Sequence, residues 1–278
     1  MGTAPLIFVA GTVFSAAFWS AHLFDISGVF LAGFTALFAH RRGATLQALL
    51  APIEASTPLR SFAVGLEPLV HELVADLDRK DTITRDHVVR TAHLAVHVAE
   101  EMRLSPIEMR DVGLGAILHD VGKVTIPEEI LAKPGRLTDA EFETMKGHTV
   151  AGHAMVAAAP SLRGATSFVR GHHERVDGRG YPDQLTGDDI PLGARIVAAC
   201  DAWDAMSHNR QYREGMSNER VVAIMREHQG SQWDAAVVDA LLRVIERGEH
   251  EIDPSALDAV GREQEPGNVT CCHDALPV

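Results

Sequence analysis

A basic surface is missing from this sequence. Its 278 residues carry 25 lysines and arginines against 38 aspartates and glutamates, a formal net charge of -13. That balance excludes the cationic field by which proteins hold nucleic acid. Any phosphate the chain handles has to be met by a local cationic site, such as metal ions. Cysteine is scarce too: Cys200 lies inside an apolar run, and Cys271 and Cys272 adjoin near the C-terminus. Thiols so placed make no disulfide framework, and a reducing compartment fits best. Strand signals are few and no internal repeat is evident. Charge, finally, is nearly absent from the N-terminal tract, where His22 and Asp25 are the only ionisable residues between Ala4 and Ala39.

That apolar tract sets residues 1–42 apart. Leu6 to Phe24 is long enough to span a bilayer, whereas Ile26 to Ala39 is short for that on its own. The reading is a membrane hairpin of two hydrophobic helices turning at Asp25-Ile26-Ser27-Gly28. His40-Arg41-Arg42 follows and lies on the cytoplasmic side by the positive-inside rule. No basic region precedes the first apolar run and a second run follows it, which argues against a signal peptide. The alternative is a buried helical hairpin of a soluble domain. The membrane reading puts the chain at the cell inner membrane with the remainder in the cytoplasm.

Residues 43–80 read as a connecting helix. Thr57-Pro58 has the form of an N-cap and first helical residue, and Leu59, Phe62, Leu66, Leu69, Leu73 and Leu77 recur at helical spacing, with a kink expected at Pro68. This stripe serves either core packing or a homodimer contact.

From residue 81 to about 250 the pattern is one of consecutive helices, so the fold class expected is all-α, a bundle of non-repeating helices. Val88, Ala92, Ala95, Ala99 and Met102 trace one helical face behind His87. Ser105-Pro106-Ile107-Glu108 is a capping box with proline at the first helical position, opening a helix through Leu118 into His119-Asp120. Thr138-Asp139-Ala140-Glu141 is a second, and its helix carries Met145, His148, Gly152 and Met155 on a semi-apolar stripe. Gly171 to Pro191 reads as a loop, and Ile190 to Met206 resumes a helix that brings in Asp201. Residues 251–278, rich in glycine, proline and acid, read as a flexible tail ending in Cys271-Cys272-His273-Asp274.

Within the helical stretch stand His87, His119-Asp120, His148, His172-His173 and Asp201. Imidazole and carboxylate suit borderline divalent metals, and a carboxylate can bridge two of them. His119 followed directly by Asp120 offers nitrogen and oxygen from one backbone site. Two ions roughly 3.5–4 Å apart can activate water and clamp a phosphodiester. Taken singly each histidine is a weak signal: His93 and His97, though four residues apart, read as ordinary helical residues, as do His22, His71, His208, His228 and His250.

The linking segments make the set specific. His119-Asp120-Val121-Gly122-Lys123, His172-His173-Glu174 through Gly180-Tyr181-Pro182, and Asp201-Ala202-Trp203-Asp204-Ala205-Met206 resemble the HD-GYP family of HD-type phosphohydrolases. Ile126-Pro127, Leu131-Ala132-Lys133-Pro134-Gly135 and Ile190-Pro191-Leu192-Gly193-Ala194-Arg195-Ile196 extend the likeness from Asp81 to Gly248. The resemblance implies an HD-domain helical bundle over residues 81–250 and a metal-dependent cyclic di-GMP phosphodiesterase whose product is pGpG, GMP or both. It implies His87, His119, Asp120 and Asp201 around one divalent ion, and Asp120, His148, His172 and His173 around the other. Asp120 is the bridge, and the centre is non-haem, with iron or manganese foremost. It further implies Asp120 and Lys123 in catalysis, Lys123 meeting a phosphate oxygen or protonating the leaving 3'-oxygen.

Arg210 and Arg213 are candidate phosphate contacts through bidentate hydrogen bonds, and Gly180, Tyr181 and Pro182 shape the substrate loop. Partners implied are cyclic di-GMP, the membrane, a second copy of the chain and GGDEF-type cyclases, with no nucleic acid. The family's third-metal glutamate falls at Ile83, which cannot ligate, so two ions are expected. The alternatives are a non-catalytic cyclic di-GMP receptor and a phosphohydrolase of another cyclic nucleotide.

Overall fold

Eight α-helices follow one another in the computed structural model, which describes residues 84–209 and 214–252 together with Leu73 and Leu77. They are α1 (Thr84–Glu101), α2 (Pro106–Leu118), α3 (Glu128–Leu131), α4 (Asp139–Ala157), α5 (Thr166–Gly171), α6 (Leu192–Ser207), α7 (Asn218–His228) and α8 (Ala235–Glu246). Short 3-10 turns lie at Val121–Thr125, Pro160–Leu162 and Gly187–Asp189. Among the described residues there is no strand, only isolated bridges pairing Asp177 with Thr186 and Gln229 with Trp233. The expected helical class is what is found.

The helix starts have local causes. Ser105 caps α2: its backbone N–H and hydroxyl donate to Glu108 Oε2 at 2.8 and 2.6 Å, and Glu108 N–H returns to Ser105 Oγ at 3.4 Å. Thr138 and Glu141 repeat the device on α4, with Thr138 N–H donating at 2.7 Å and Glu141 N–H returning at 3.3 Å. Each box satisfies N–H groups that the first helical turn leaves without partners. α6 starts after Pro191, whose ring suits a helix entry.

α2 is the centre of the bundle. Met109, Val112, Gly113, Leu114, Gly115, Ala116, Ile117 and Leu118 are all buried, so the helix is apolar around most of its circumference rather than along one stripe. It packs against α1, α5 and α6, while α8 closes over α1 and α6. From α1 come Val88, Val89, Ala92, Ala95, Val96 and Ala99, a wider face than the single stripe read from sequence. Trp203 and Cys200 of α6 complete this core, and Cys200 is a free thiol. Full burial of a side chain such as Leu118 contributes about 2 kcal/mol, which fixes the C-terminal end of α2 where the chain turns into His119 and Asp120.

α4 packs on the 3-10 turn Val121–Thr125 and on α5. Of the 43–80 stripe, Leu77 is buried and Leu73 packs against the core, so core packing holds for those two positions. The expected hairpin of residues 1–42, Ile83, the pair Arg210 and Arg213, and the tail with Cys271, Cys272 and His273 lie outside the described residues. Among the described residues no helix is long and apolar enough to cross a membrane.

Candidate metal centre

Five elements bring their polar residues to one place. His87 comes from the first turns of α1, His119 and Asp120 from the end of α2, and His148 from the middle of α4. His172 and His173 follow α5, and Asp201 lies on α6. His119 keeps helical angles (φ -53, ψ -39), and Asp120 leaves them (φ -97, ψ 1). The helix therefore ends between the two side chains.

The residues form two groups whose ligand atoms lie within 4.8 Å of one another: His87, His119 and Asp201, and Asp120, His148, His172 and His173. In the first, His87 Nε2 is 3.3 Å and His119 Nε2 3.9 Å from Asp201 Oδ1. In the second, His148 Nε2 is 3.3 Å from His172 Nε2 and 3.5 Å from Asp120 Oδ1. Asp120 joins the two groups, since its Oδ2 lies 3.3 Å from His119 Nε2. Its two oxygens thus face different histidine sets.

Hydrogen bonds on the far side of each ring fix which nitrogen faces inward. Nδ1 of His119, His148 and His172 lies 2.8, 2.7 and 2.8 Å from the carbonyl oxygens of Ala116, Met145 and Val169. A carbonyl only accepts, so each Nδ1 carries the proton and each Nε2 of a neutral ring presents a lone pair to the centre. His148 Nε2 and His172 Nε2 then oppose two lone pairs at 3.3 Å, and His119 Nε2 is buried without a hydrogen-bond partner. Inward-facing imidazole nitrogens beside buried carboxylates suit a bound cation.

Electrostatics divide the two groups. Burial works against charge on His87, but the hydrogen bonds and charges of Asp201 and Asp204 outweigh it and push its pKa up to about 9. His119 is raised likewise, by Asp120 and Asp201 against burial. Burial pushes His148, His172 and His173 down, His173 to about 4, so these rings stay neutral and available as ligands. Burial works against charge on Asp120 and Asp201 as well. Lys123 and His119 hold Asp120 well below the usual carboxylate range, and the hydrogen bond from His87 does the same for Asp201.

Asp204 was given no role from the sequence, although it stands in the segment that carries Asp201. Buried to 3% exposure, it accepts His87 Nδ1 at 2.6 Å, Arg90 Nε at 2.5 Å and Arg90 Nη2 at 3.1 Å, with His208 Nδ1 at 3.1 Å. It does for His87 what helix carbonyls do for the other three rings. Its spacing of one helical turn from Asp201 is the signal that could have found it.

The loop after α5 closes one side. Buried Glu174 accepts the backbone N–H of Asp183 at 2.6 Å and of Leu185 at 3.1 Å, and Tyr181 N–H donates to the His173 carbonyl at 3.2 Å. Gly180 allows the turn its closeness, because a Cβ there would sit 2.4 Å from Arg175 N. Tyr181 then lays its ring over His173, centroids 4.8 Å apart and planes 31° from parallel, with Pro182 beyond a cis bond. Lys123 Nζ lies 2.6 Å from Asp120 Oδ2. His93 is not among the grouped ligands: it is buried, its Nε2 bonds to the Glu249 carbonyl at 3.0 Å, and its ring packs edge-on against His97.

A family model described as HD domain matches residues 69–237. A "probable cyclic di-GMP phosphodiesterase" of Vibrio cholerae serotype O1 is 39% identical over 192 residues, which cover 63% of this chain and 44% of that protein. The "cyclic di-GMP phosphodiesterase response regulator RpfG" of Xanthomonas campestris pv. campestris is 40% identical over 174 residues, 62% of this chain and 46% of that protein. The chain thus spans less than half the length of these two relatives. A solved structure described as a cyclic GMP-AMP specific phosphodiesterase of Vibrio cholerae aligns with a TM-score of 0.50 at 18% identity, over 69% of this chain and 50% of that one, a likeness of fold. With the family model matched over more than half its length, the chain belongs to the HD domain family, in the HD-GYP group that its motifs resemble.

Proposed function

We propose that the chain is a metal-dependent phosphodiesterase that hydrolyses cyclic di-GMP to pGpG, GMP or both. The observation that carries this is the pair of ligand groups joined through Asp120, with Nε2 of His119, His148 and His172 turned inward by the hydrogen bonds of their Nδ1 atoms. His87, His119, Asp120 and Asp201 would hold one divalent ion, and Asp120, His148, His172 and His173 the other. Iron and manganese both suit these ligands. Such ions, held by these residues, would supply a lowered pKa for water and a positive charge opposite the phosphoryl oxygens.

The chain's own groups do the remaining work. Lys123 Nζ, 2.6 Å from Asp120 Oδ2, would donate to a phosphate oxygen or to the leaving 3'-oxygen. Burial, together with the charges of Asp120 and Asp201, raises the Tyr181 phenol, so its hydroxyl stays protonated and serves as a donor. Gly180 and Pro182 shape the loop that carries that ring, and Arg210 and Arg213 are the candidates for bidentate contact with phosphate.

This reading takes residues 1–42 as an inner-membrane hairpin, 43–80 as a connecting helix, 81–250 as the cytoplasmic catalytic domain and 251–278 as a tail, with a second copy of the chain as a candidate partner. GGDEF-type cyclases are the partners whose product it removes. The support for these divisions is the sequence pattern alone.

Anaerobic incubation of protein loaded with defined metals, with cyclic di-GMP as substrate and chromatography of products, tests the proposal. Wild type should release pGpG or GMP, and the double variant His119→Ala, Asp120→Ala should release neither. Binding without products would make the chain a receptor, and absence of binding would move it to another cyclic nucleotide.

A further inference from the structure

Only three large apolar side chains stand exposed among the described residues, and one of them, Phe142, touches the rim of the metal centre. It is 44% exposed and lies in the first turn of α4, the helix that carries His148. Its ring meets Tyr181 edge-on, centroids 6.1 Å apart and planes at 82°, while Tyr181 lies over His173. A continuous run of rings therefore leads outward from a proposed metal ligand to an open aromatic surface.

Lys146 stands one turn further along α4, with its ammonium 5.0 Å from the Phe142 centroid and 5.8 Å from that of Tyr181. Its ion-pair partner is Glu143 Oε1 at 2.6 Å, on a side chain that is 70% exposed. Pairs so exposed hold little, so the ammonium can exchange that partner for a ligand.

We propose that Phe142 and Lys146 form the base-recognition wall of this site, Phe142 stacking on a purine and Lys146 donating to O6 and N7 of guanine. The inference rests on the phosphodiesterase reading above and names what that site selects. An aromatic face receives any base, because every base has a π-face. The ammonium supplies the choice: it has donors only, guanine presents two acceptors on that edge, and adenine presents an amino donor beside N7. Tyr181 lies on His173 and Phe142 meets Tyr181 in turn, so this wall adjoins the place where the phosphodiester would be held.

Steady-state kinetics of the metal-loaded full chain with cyclic di-GMP, 3'3'-cyclic GMP-AMP and cyclic di-AMP test this. Wild type should prefer the guanine-containing substrates. Phe142→Ala should raise KM about tenfold for all three with kcat little changed, and Phe142→Tyr should restore it. Lys146→Met should lower kcat/KM for cyclic di-GMP about tenfold and leave cyclic di-AMP unaffected, and Lys146→Arg should keep the preference. If wild type turns over cyclic di-GMP and both truncations match it in KM and base preference, this inference falls alone. If wild type turns over none of the three, the phosphodiesterase reading falls with it.

Discussion

Asp204 carries a burden out of proportion to its visibility. A carboxylate buried to this degree is costly unless its oxygens are satisfied, and here His87, Arg90 and His208 satisfy them. Its effect on the centre runs through His87, whose proton it holds on Nδ1 so that Nε2 faces Asp201. Asp204→Asn keeps the volume and removes the charge, and should weaken metal binding about 10- to 100-fold, with the ligands themselves untouched. Competition with a chelator of known affinity measures it, and an affinity equal to wild type would show that the carboxylate is only packing. His119-Asp120 and His172-His173 were legible in the sequence because paired metal-type residues in linking motifs are rare. Asp204 was only half legible: its spacing from Asp201 marks a shared helix face, but its partners His87 and Arg90 stand 117 and 114 positions away on α1, and only the fold brings them to it. Tyr181 was legible as part of a loop, but its stacking on His173 and the rings beyond it were not.

The elements themselves were more legible than their contacts. Both capping boxes stand in the sequence and both form, because the chemistry of a helix start is local. What the sequence does not display is how closely the segment after Asp120 approaches α4. At Gly122 a Cβ would lie 1.9 Å from the His148 carbonyl oxygen and 2.5 Å from Gly152 N, both of them backbone, which cannot swing aside. Gly122→Ala must therefore push the 3-10 turn Val121–Thr125 away from α4 and separate Asp120 from His148. The expected result is loss of ordered metal binding and of activity, together with a stability loss of about 1–3 kcal/mol. Denaturant unfolding alongside metal analysis checks both, and an alanine variant with wild-type stability and metal content would contradict the geometry.

At the scale of the whole molecule, the acidic chain gathers its candidate metal-binding residues at one point. α1, α2, α4, α6 and the segment after α5 each supply residues of the two candidate groups, and their apolar faces share the core around α2 and α6. The all-α class was legible from periodicity and from the scarcity of strand signals. The convergence of these elements was not, since the ligands are spread along the chain and only tertiary packing decides which of them meet. The resemblance in motifs supplied that grouping before any coordinate did. The most direct measurement is a titration of chelator-stripped protein with manganese or iron(II) under anaerobic conditions, following cyclic di-GMP hydrolysis and metal bound per chain. The account predicts no turnover without metal, a rise to a plateau at two ions per chain, and no plateau in Asp120→Ala. Full turnover in the stripped protein, or saturation at three ions, would contradict it.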